Sequence, residues 1–122
     1  MSSLSRILLV EDEALLLLDL SEQLAAHGIE AIAASNARAA LHRLDAGVEA
    51  LVTDIDLAGG PSGLDLARHV ARLRPGLPIL VVSGGNRPRG EDLPQGAAFL
   101  PKPCRAADIV AALERRRFVP AA

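Results

Sequence analysis

Apolar residues in this chain fall into short blocks of two kinds. Ile7, Leu8, Leu9 and Val10 form an unbroken run, as do Ala50, Leu51 and Val52 ahead of Thr53 and Asp54, and Ile79, Leu80, Val81 and Val82 after Pro78. Unbroken runs of this length suit parallel strands covered on both faces. Between them the apolar positions return at helical spacing. Residues 13–27 read as a helix, and Gly28 stands where a left-handed cap is wanted. Residues 29–34 read as a second strand, and Ser35 or Asn36 caps a helix running to about residue 44. Residues 50–54 are the third strand, and Gly59, Gly60 and Pro61 mark 57–62 as a loop. Residues 63–73 form a third helix, closed by Arg74, Pro75 and Gly76. The remaining elements are strands at 79–82 and 97–100 and a last helix at 106–117.

The stretch 83–96 breaks this rhythm. It holds four glycines together with Pro88 and Pro94, poor material for a regular helix, so a single turn around residues 91–94 is expected there. The order is therefore (βα)5 with a short or irregular fourth helix. Right-handed crossovers make this an α/β, flavodoxin-like, doubly wound fold, with a parallel five-stranded sheet in the order 2-1-3-4-5. Its switch point lies between strands one and three, beside Glu11, Asp12 and Asp54.

At 122 residues the chain is one domain, spanning 1–122, with residues 1–5 a flexible polar leader and 119–122 a flexible tail. Phe99 and Phe118 are the only aromatics, so the core must be aliphatic. A net charge of -2 offers nucleic acid no general attraction, and Arg115, Arg116 and Arg117 suit the last turn of a helix, whose dipole they complement. The longest apolar runs fall far short of the ~20 residues of a membrane span. Cys104 is the single cysteine and has no disulfide partner within the chain. A soluble cytoplasmic protein, binding neither nucleic acid nor membrane, is expected.

The strand ends carry the chemistry. Glu11, Asp12 and Glu13 follow the first strand, Asp54 ends the third, Ser83 follows the fourth and Lys102 the fifth. In a parallel sheet these ends meet at one edge. Clustered carboxylates repel and call for protons or a cation, and Mg²⁺ is the hard, oxygen-seeking ion such a set suits. No His or Cys spacing suggests zinc, since His27, His42 and His69 belong to three different helices. A carboxylate can attack phosphorus when a metal and an ammonium neutralise the phosphoryl oxygens. Lys102 would be the ammonium and Ser83 a hydrogen-bond donor. Taken singly, Asp54 is equally a cap, Glu11 and Asp12 helix-starting acids, and Ser83 and Lys102 loop residues. Their conjunction at four strand ends favours the site.

These residues resemble the receiver domain of two-component response regulators over essentially the whole chain. The match comprises Leu8-Leu9-Val10-Glu11-Asp12-Glu13, Leu51-Val52-Thr53-Asp54, Val81-Val82-Ser83-Gly84 and Lys102-Pro103, in that order. The resemblance implies a phosphoacceptor in a phosphorelay, with Asp54 taking a phosphoryl group from a sensor histidine kinase or a histidine phosphotransfer protein. It implies Mg²⁺ held by Asp12, Asp54 and the backbone carbonyl of Asp56, with Glu11 acting through metal-bound water. It also implies a conformational switch at Ser83 and Phe99, although Phe99 serves equally as core, and a cis peptide before Pro103. Such a protein is no enzyme beyond catalysing its own phosphorylation and dephosphorylation. Lacking an attached output domain, it would switch binding to an unknown downstream protein or act as a phosphate sink.

Three departures stand out. Ala58 replaces the proline many receivers have, and the loop before Gly63 is one residue longer. Ser83 and Lys102 are nineteen positions apart, a few fewer than usual. The run Pro78-Ile79-Leu80-Val81-Val82-Ser83-Gly84-Gly85 resembles the Pro-Phe-x-Phe-Ala-Thr-Gly-Tyr pattern of a single-domain α-proteobacterial subgroup. Asp56 is either a solvated loop acid or a charge that alters attack by water on a phosphorylated Asp54. On the first helix Leu16, Leu17, Leu20 and Leu24 share one arc while Leu15 and Leu18 point away. Those two either lie under neighbouring loops or form a docking surface for a partner helix.

Two other readings are open on the sequence alone. One is a pseudo-receiver that binds partners without phosphorylation. The other is a haloacid dehalogenase-type phosphatase, whose Asp-x-Asp motif Asp54-Ile55-Asp56 resembles, though such short motifs are weak signals.

Overall fold

The computed structural model describes residues 4–85 and 87–117. Five strands alternate with helices: β1 Arg6–Val10, α1 Ala14–Ala26, β2 Glu30–Ala34, α2 Ala37–Arg43, β3 Leu51–Asp54, α3 Gly63–Leu73, β4 Ile79–Ser83, β5 Ala97–Pro101 and α4 Ala106–Arg117. All neighbouring strands pair parallel in the order β2-β1-β3-β4-β5. The flavodoxin-like fold and strand order match the expectation.

Alternation along the strands divides the core into two layers. Ile7, Leu9, Val52, Leu80 and Val82 face Leu20 and Leu24 of α1 and Ile109 and Leu113 of α4. Leu8, Val10, Leu51, Ile79 and Val81 face Leu66 and Val70 of α3 and Ala37 and Ala40 of α2. With both faces covered, the strands have no polar side to show, and their sequences read as continuous apolar runs.

Local signals account for the boundaries. The Asn36 side chain accepts from the Ala39 N–H at 2.8 Å, so Asn36, not Ser35, caps α2. Ser62 and Asp65 exchange side-chain-to-backbone bonds in a capping box that starts α3. Gly28 takes φ 78° beyond the end of α1, as a left-handed terminus requires. The irregular stretch between β4 and β5 forms one 3₁₀ turn, Gly90–Asp92, in place of a fourth α-helix. It is tied to α3 by Arg68 Nη2, which donates to the Asp92 carbonyl at 2.8 Å.

One expectation needs correction. The leader was expected to extend to residue 5, yet Leu4 is buried in the α1/α4 layer and the Ser5 N–H donates to Glu49 Oε1 at 2.6 Å. An apolar side chain next to β1 finds core beside it. Residues 1–3 and the expected tail at 119–122 lie outside the described residues, as does Phe118.

Candidate functional site

Four strand ends bring the candidate groups to one edge. Leaving β1, the chain passes through Glu11 and Asp12, while β3 ends on Asp54, β4 on Ser83, and β5 runs through Pro101 to Lys102. The register explains the convergence. Val10 stands opposite Thr53, Asp54 opposite Val82, and Ser83 opposite Pro101, so the functional residues stop at nearly one level.

At the centre, Lys102 Nζ donates to Glu11 Oε1 at 2.7 Å and to Asp54 Oδ2 at 3.0 Å. Glu11 and Asp54 are buried, and the Lys102 side chain keeps 23% of its surface exposed. Glu11 Oε2 also accepts from the Glu13 N–H at 3.0 Å. Burial pushes the Glu11 carboxyl above its ordinary value, outweighing the bonds from Lys102 and the Glu13 N–H that pull it down, with the Asp54 charge adding to the rise. At Lys102 burial opposes the charge, but its bonds to Glu11 and Asp54 prevail and the ammonium is held above its ordinary value. Both groups are therefore raised: at Glu11 burial outweighs the one ammonium it shares with Asp54, whereas at Lys102 two carboxylates outweigh burial. Lys102 gains, and the acids are left with excess negative charge.

Oxygen atoms of Glu11, Asp12 and Asp54 lie within 4.8 Å of one another. Two oxygens bound to Mg²⁺ at ~2.1 Å each stand at most about 4.2 Å apart, so a hard-oxygen set of this span fits that ion with little adjustment. Asp12 is exposed, and its Oδ2 accepts from the Ala58 N–H at 3.0 Å, which anchors the loop after β3 to the acidic cluster.

The backbone around Asp54 is closely held. Thr53 Oγ1 donates to the Asp54 carbonyl at 3.0 Å, and the Gly63 N–H donates to Ile55 O at 2.8 Å. A Cβ on Gly63 would overlap the Asp54 carbonyl oxygen, with the carbonyl carbon only 2.6 Å and Ile55 Cα 2.9 Å away. Helix α3 thus starts against the Asp54 peptide, an approach that only glycine permits.

Ser83 is buried, its Oγ accepting from the Gly85 N–H at 3.1 Å, while its carbonyl accepts from the Lys102 N–H at 2.9 Å. Asp56 is exposed, and its N–H donates to Asp54 Oδ1 at 3.3 Å. Its carboxylate faces the space above Gly85: a Cβ built there would stand 3.9 Å from Asp56 Oδ2 and 4.0 Å from Ser83 Oγ. The Lys102–Pro103 peptide is cis. Phe99 is half-buried against the α3 layer, and the Arg87 guanidinium carbon lies 5.5 Å from its ring centroid. Leu15 is 78% and Leu18 56% exposed on α1, so no described loop covers them.

The structure therefore gathers Glu11, Asp12, Asp54, Ser83 and Lys102 and sets Asp56 at their rim. Phe99 stands apart on β5, and Leu15 and Leu18 on the adjoining face of α1. Sequence reasoning missed Thr53, Gly63 and the Ala58 N–H. Of these only Gly63 left a trace, as the residue after Ser62 in a Ser-x-x-Asp cap.

Comparison with known proteins agrees with this geometry. The family model described as the response regulator receiver domain matches residues 7–114. The chain belongs to that family. A response regulator receiver protein from Sinorhizobium medicae shares 30% identity at a TM-score of 0.85, the match covering 94% of this chain and 95% of that one. The non-phosphorylated HemR receiver domain from Leptospira biflexa shares 28% identity at a TM-score of 0.79, covering 97% and 98%. The chemotaxis protein CheY4 of Vibrio cholerae, at 20% identity and a TM-score of 0.80 over 93% and 98%, shares the fold. No curated protein matches the sequence. The chain is thus a receiver domain of two-component signal transduction, a class of signalling modules generally without enzymatic activity, and the phosphatase reading lapses with that assignment. Among the described residues no helix is long and apolar enough to cross a membrane.

Proposed function

We propose that Asp54 accepts a phosphoryl group from a phosphohistidine, supplied by a sensor histidine kinase or a histidine phosphotransfer protein. The observation that carries this reading is the Lys102 ammonium bridging Glu11 and Asp54 at 2.7 and 3.0 Å, on the edge where Asp12 and Ser83 also stand. A carboxylate oxygen of Asp54 forms the new P–O bond as the P–N bond breaks, and the electron pair returns to the imidazole nitrogen. Lys102 offsets charge on a phosphoryl oxygen, and the Ser83 hydroxyl turns from its local contact to donate to another. Asp12, Asp54 and the Asp56 carbonyl would hold Mg²⁺, with Glu11 beside it through water; the ion would supply further neutralisation of phosphoryl oxygens.

On this reading Ser83 and Phe99 relay the change. Ser83 moves toward the phosphoryl group, and Phe99 turns into the space released, leaving Arg87. Leu15 and Leu18 dock the donor's helix. The result switches binding to a downstream protein or drains phosphoryl groups from a relay in the cytoplasm, and the chain's own catalysis extends only to its phosphorylation and dephosphorylation.

The test is incubation with acetyl phosphate and Mg²⁺ followed by intact mass spectrometry. A gain of one phosphoryl group that disappears in Asp54→Asn is expected. Absence of any Asp54-dependent gain, together with no Asp54-dependent spectral response to beryllofluoride and Mg²⁺, would replace this reading with a phosphorylation-independent binding module.

A further inference from the structure

Between the sheet, α1 and α4 lies a cavity of about 330 Å³. Val52 and Val82 contribute its floor, Leu16 and Leu20 one wall, and Ile109 and Cys104 the other. Glu11, Asp54 and Lys102 line it at the strand ends. The void follows from composition: with only two aromatics in the chain, short aliphatics and a cysteine fill this layer, and they leave space beside the cis peptide at Pro103.

We infer that this cavity binds a compact, uncharged, apolar ring compound. A void of roughly 150 Å³ accommodates benzene, so this one has room for a fused bicyclic ring, and its volume and lining are those of small-molecule sites, which begin near ~300 Å³. Charge decides the class further. The polar groups on its lining are one ammonium already shared by two carboxylates, at 2.7 and 3.0 Å, with the exposed Asp12 beside them. An anion would meet net negative charge, and a cation would have to displace Lys102. A neutral ring requires neither and exchanges water for the methyl groups of the walls.

Cys104 reports on occupancy, since its thiol is half-buried and it is the only cysteine in the chain. The inference rests on the cavity's volume and lining and not on the acceptor role of Asp54, and its failure would leave that role untouched.

The probe is indole, titrated into the full chain without Mg²⁺ or phosphoryl donor. Methyl resonances of Leu16, Leu20, Val52, Val82 and Ile109 should shift together and saturate, and iodoacetamide should react with Cys104 more slowly in proportion to occupancy. Indole-3-acetate should bind at least about ten-fold more weakly, as expected for an anion brought to a site of like charge. Cys104→Phe and, from the opposite wall, Leu20→Phe should each abolish the shifts while retaining cooperative melting. Unchanged methyl signals up to millimolar indole would overturn the inference, as would shifts that persist in both Phe variants, or tighter binding of the anion. Self-association that indole does not reverse but Cys104→Phe abolishes would also overturn it, assigning the cavity to a second copy of the chain.

Discussion

Replacing Gly63 with alanine tests whether α3 is anchored on the Asp54 peptide. The added methyl would overlap the Asp54 carbonyl oxygen and crowd its carbon at 2.6 Å, and its three nearest neighbours are backbone atoms that cannot swing aside. Overpacking at such a point costs about 1–3 kcal/mol. Separating the two segments also strains the Gly63 N–H to Ile55 carbonyl bond of 2.8 Å, worth a further ~1 kcal/mol. The loss of backbone freedom in the unfolded chain returns about 0.4–1 kcal/mol. The net is roughly 1–4 kcal/mol with a central value of about 2, a large part of the ~5–15 kcal/mol a domain possesses. Thermal melting followed by circular dichroism should show a fall of about 10 °C. Gly90→Ala is the control, because nothing lies within 4 Å of the methyl it would add. If Gly63→Ala melted within ~2 °C of the parent while Gly90→Ala did the same, the close approach would have no energetic weight and the reasoning would fail.

Other consequences are equally open to measurement. Lys102→Met leaves two buried carboxylates without their shared cation, and phosphorylation by acetyl phosphate should slow by roughly 10²–10³-fold, the usual effect of deleting one charge-stabilising donor; a change under three-fold would remove Lys102 from the mechanism. Asp56→Asn removes a carboxylate from the rim and should change the lifetime of phosphorylated Asp54, read by loss of phosphate over time; an identical lifetime sinks that role. Leu15→Asp and Leu18→Asp should slow transfer from a phosphohistidine donor while leaving acetyl phosphate labelling and melting nearly unchanged, since exposed sites usually move stability by less than ~0.5 kcal/mol. Burial, aided by the Asp108 charge, holds the Cys104 thiol above its ordinary value. Its folded form therefore stays protonated where an unfolded thiol has ionised, and alkylation should keep accelerating at pH values beyond ~8.5, where a free thiol levels off.

Much of this architecture was legible because its signals are local. Both ends of α3 were placed correctly: Gly59, Gly60 and Pro61 mark the loop before its start, and Arg74, Pro75 and Gly76 its stop. β1 and β4 declared themselves central by having no polar alternation. The convergence of Glu11, Asp12, Asp54, Ser83 and Lys102 followed from topology, since parallel strands end at a common edge. What escaped depends on partners distant in sequence. Leu4 reads as part of a polar leader until the core beside β1 is present to receive it. The Ala58 N–H has no side chain to mark its bond to Asp12, and the Arg87–Phe99 contact joins two residues whose types alone do not pair them. Exposure of Leu15 and Leu18 was readable as an angle on the helix, but whether loops covered them required the folded chain.

Glu11 and its cation Lys102 are 91 residues apart, with the proposed acceptor between them. During synthesis the acidic half of the pocket therefore exists long before the basic half. A nascent chain that has emerged only through β4 carries Glu11, Asp12, Asp54 and Ser83 but has no ammonium to draw them together, and a fragment truncated before Lys102 would remain in that condition. If Asp54 is the acceptor proposed above, its competence would arrive with the docking of β5, and chains cut before Lys102 would compete poorly for the donor.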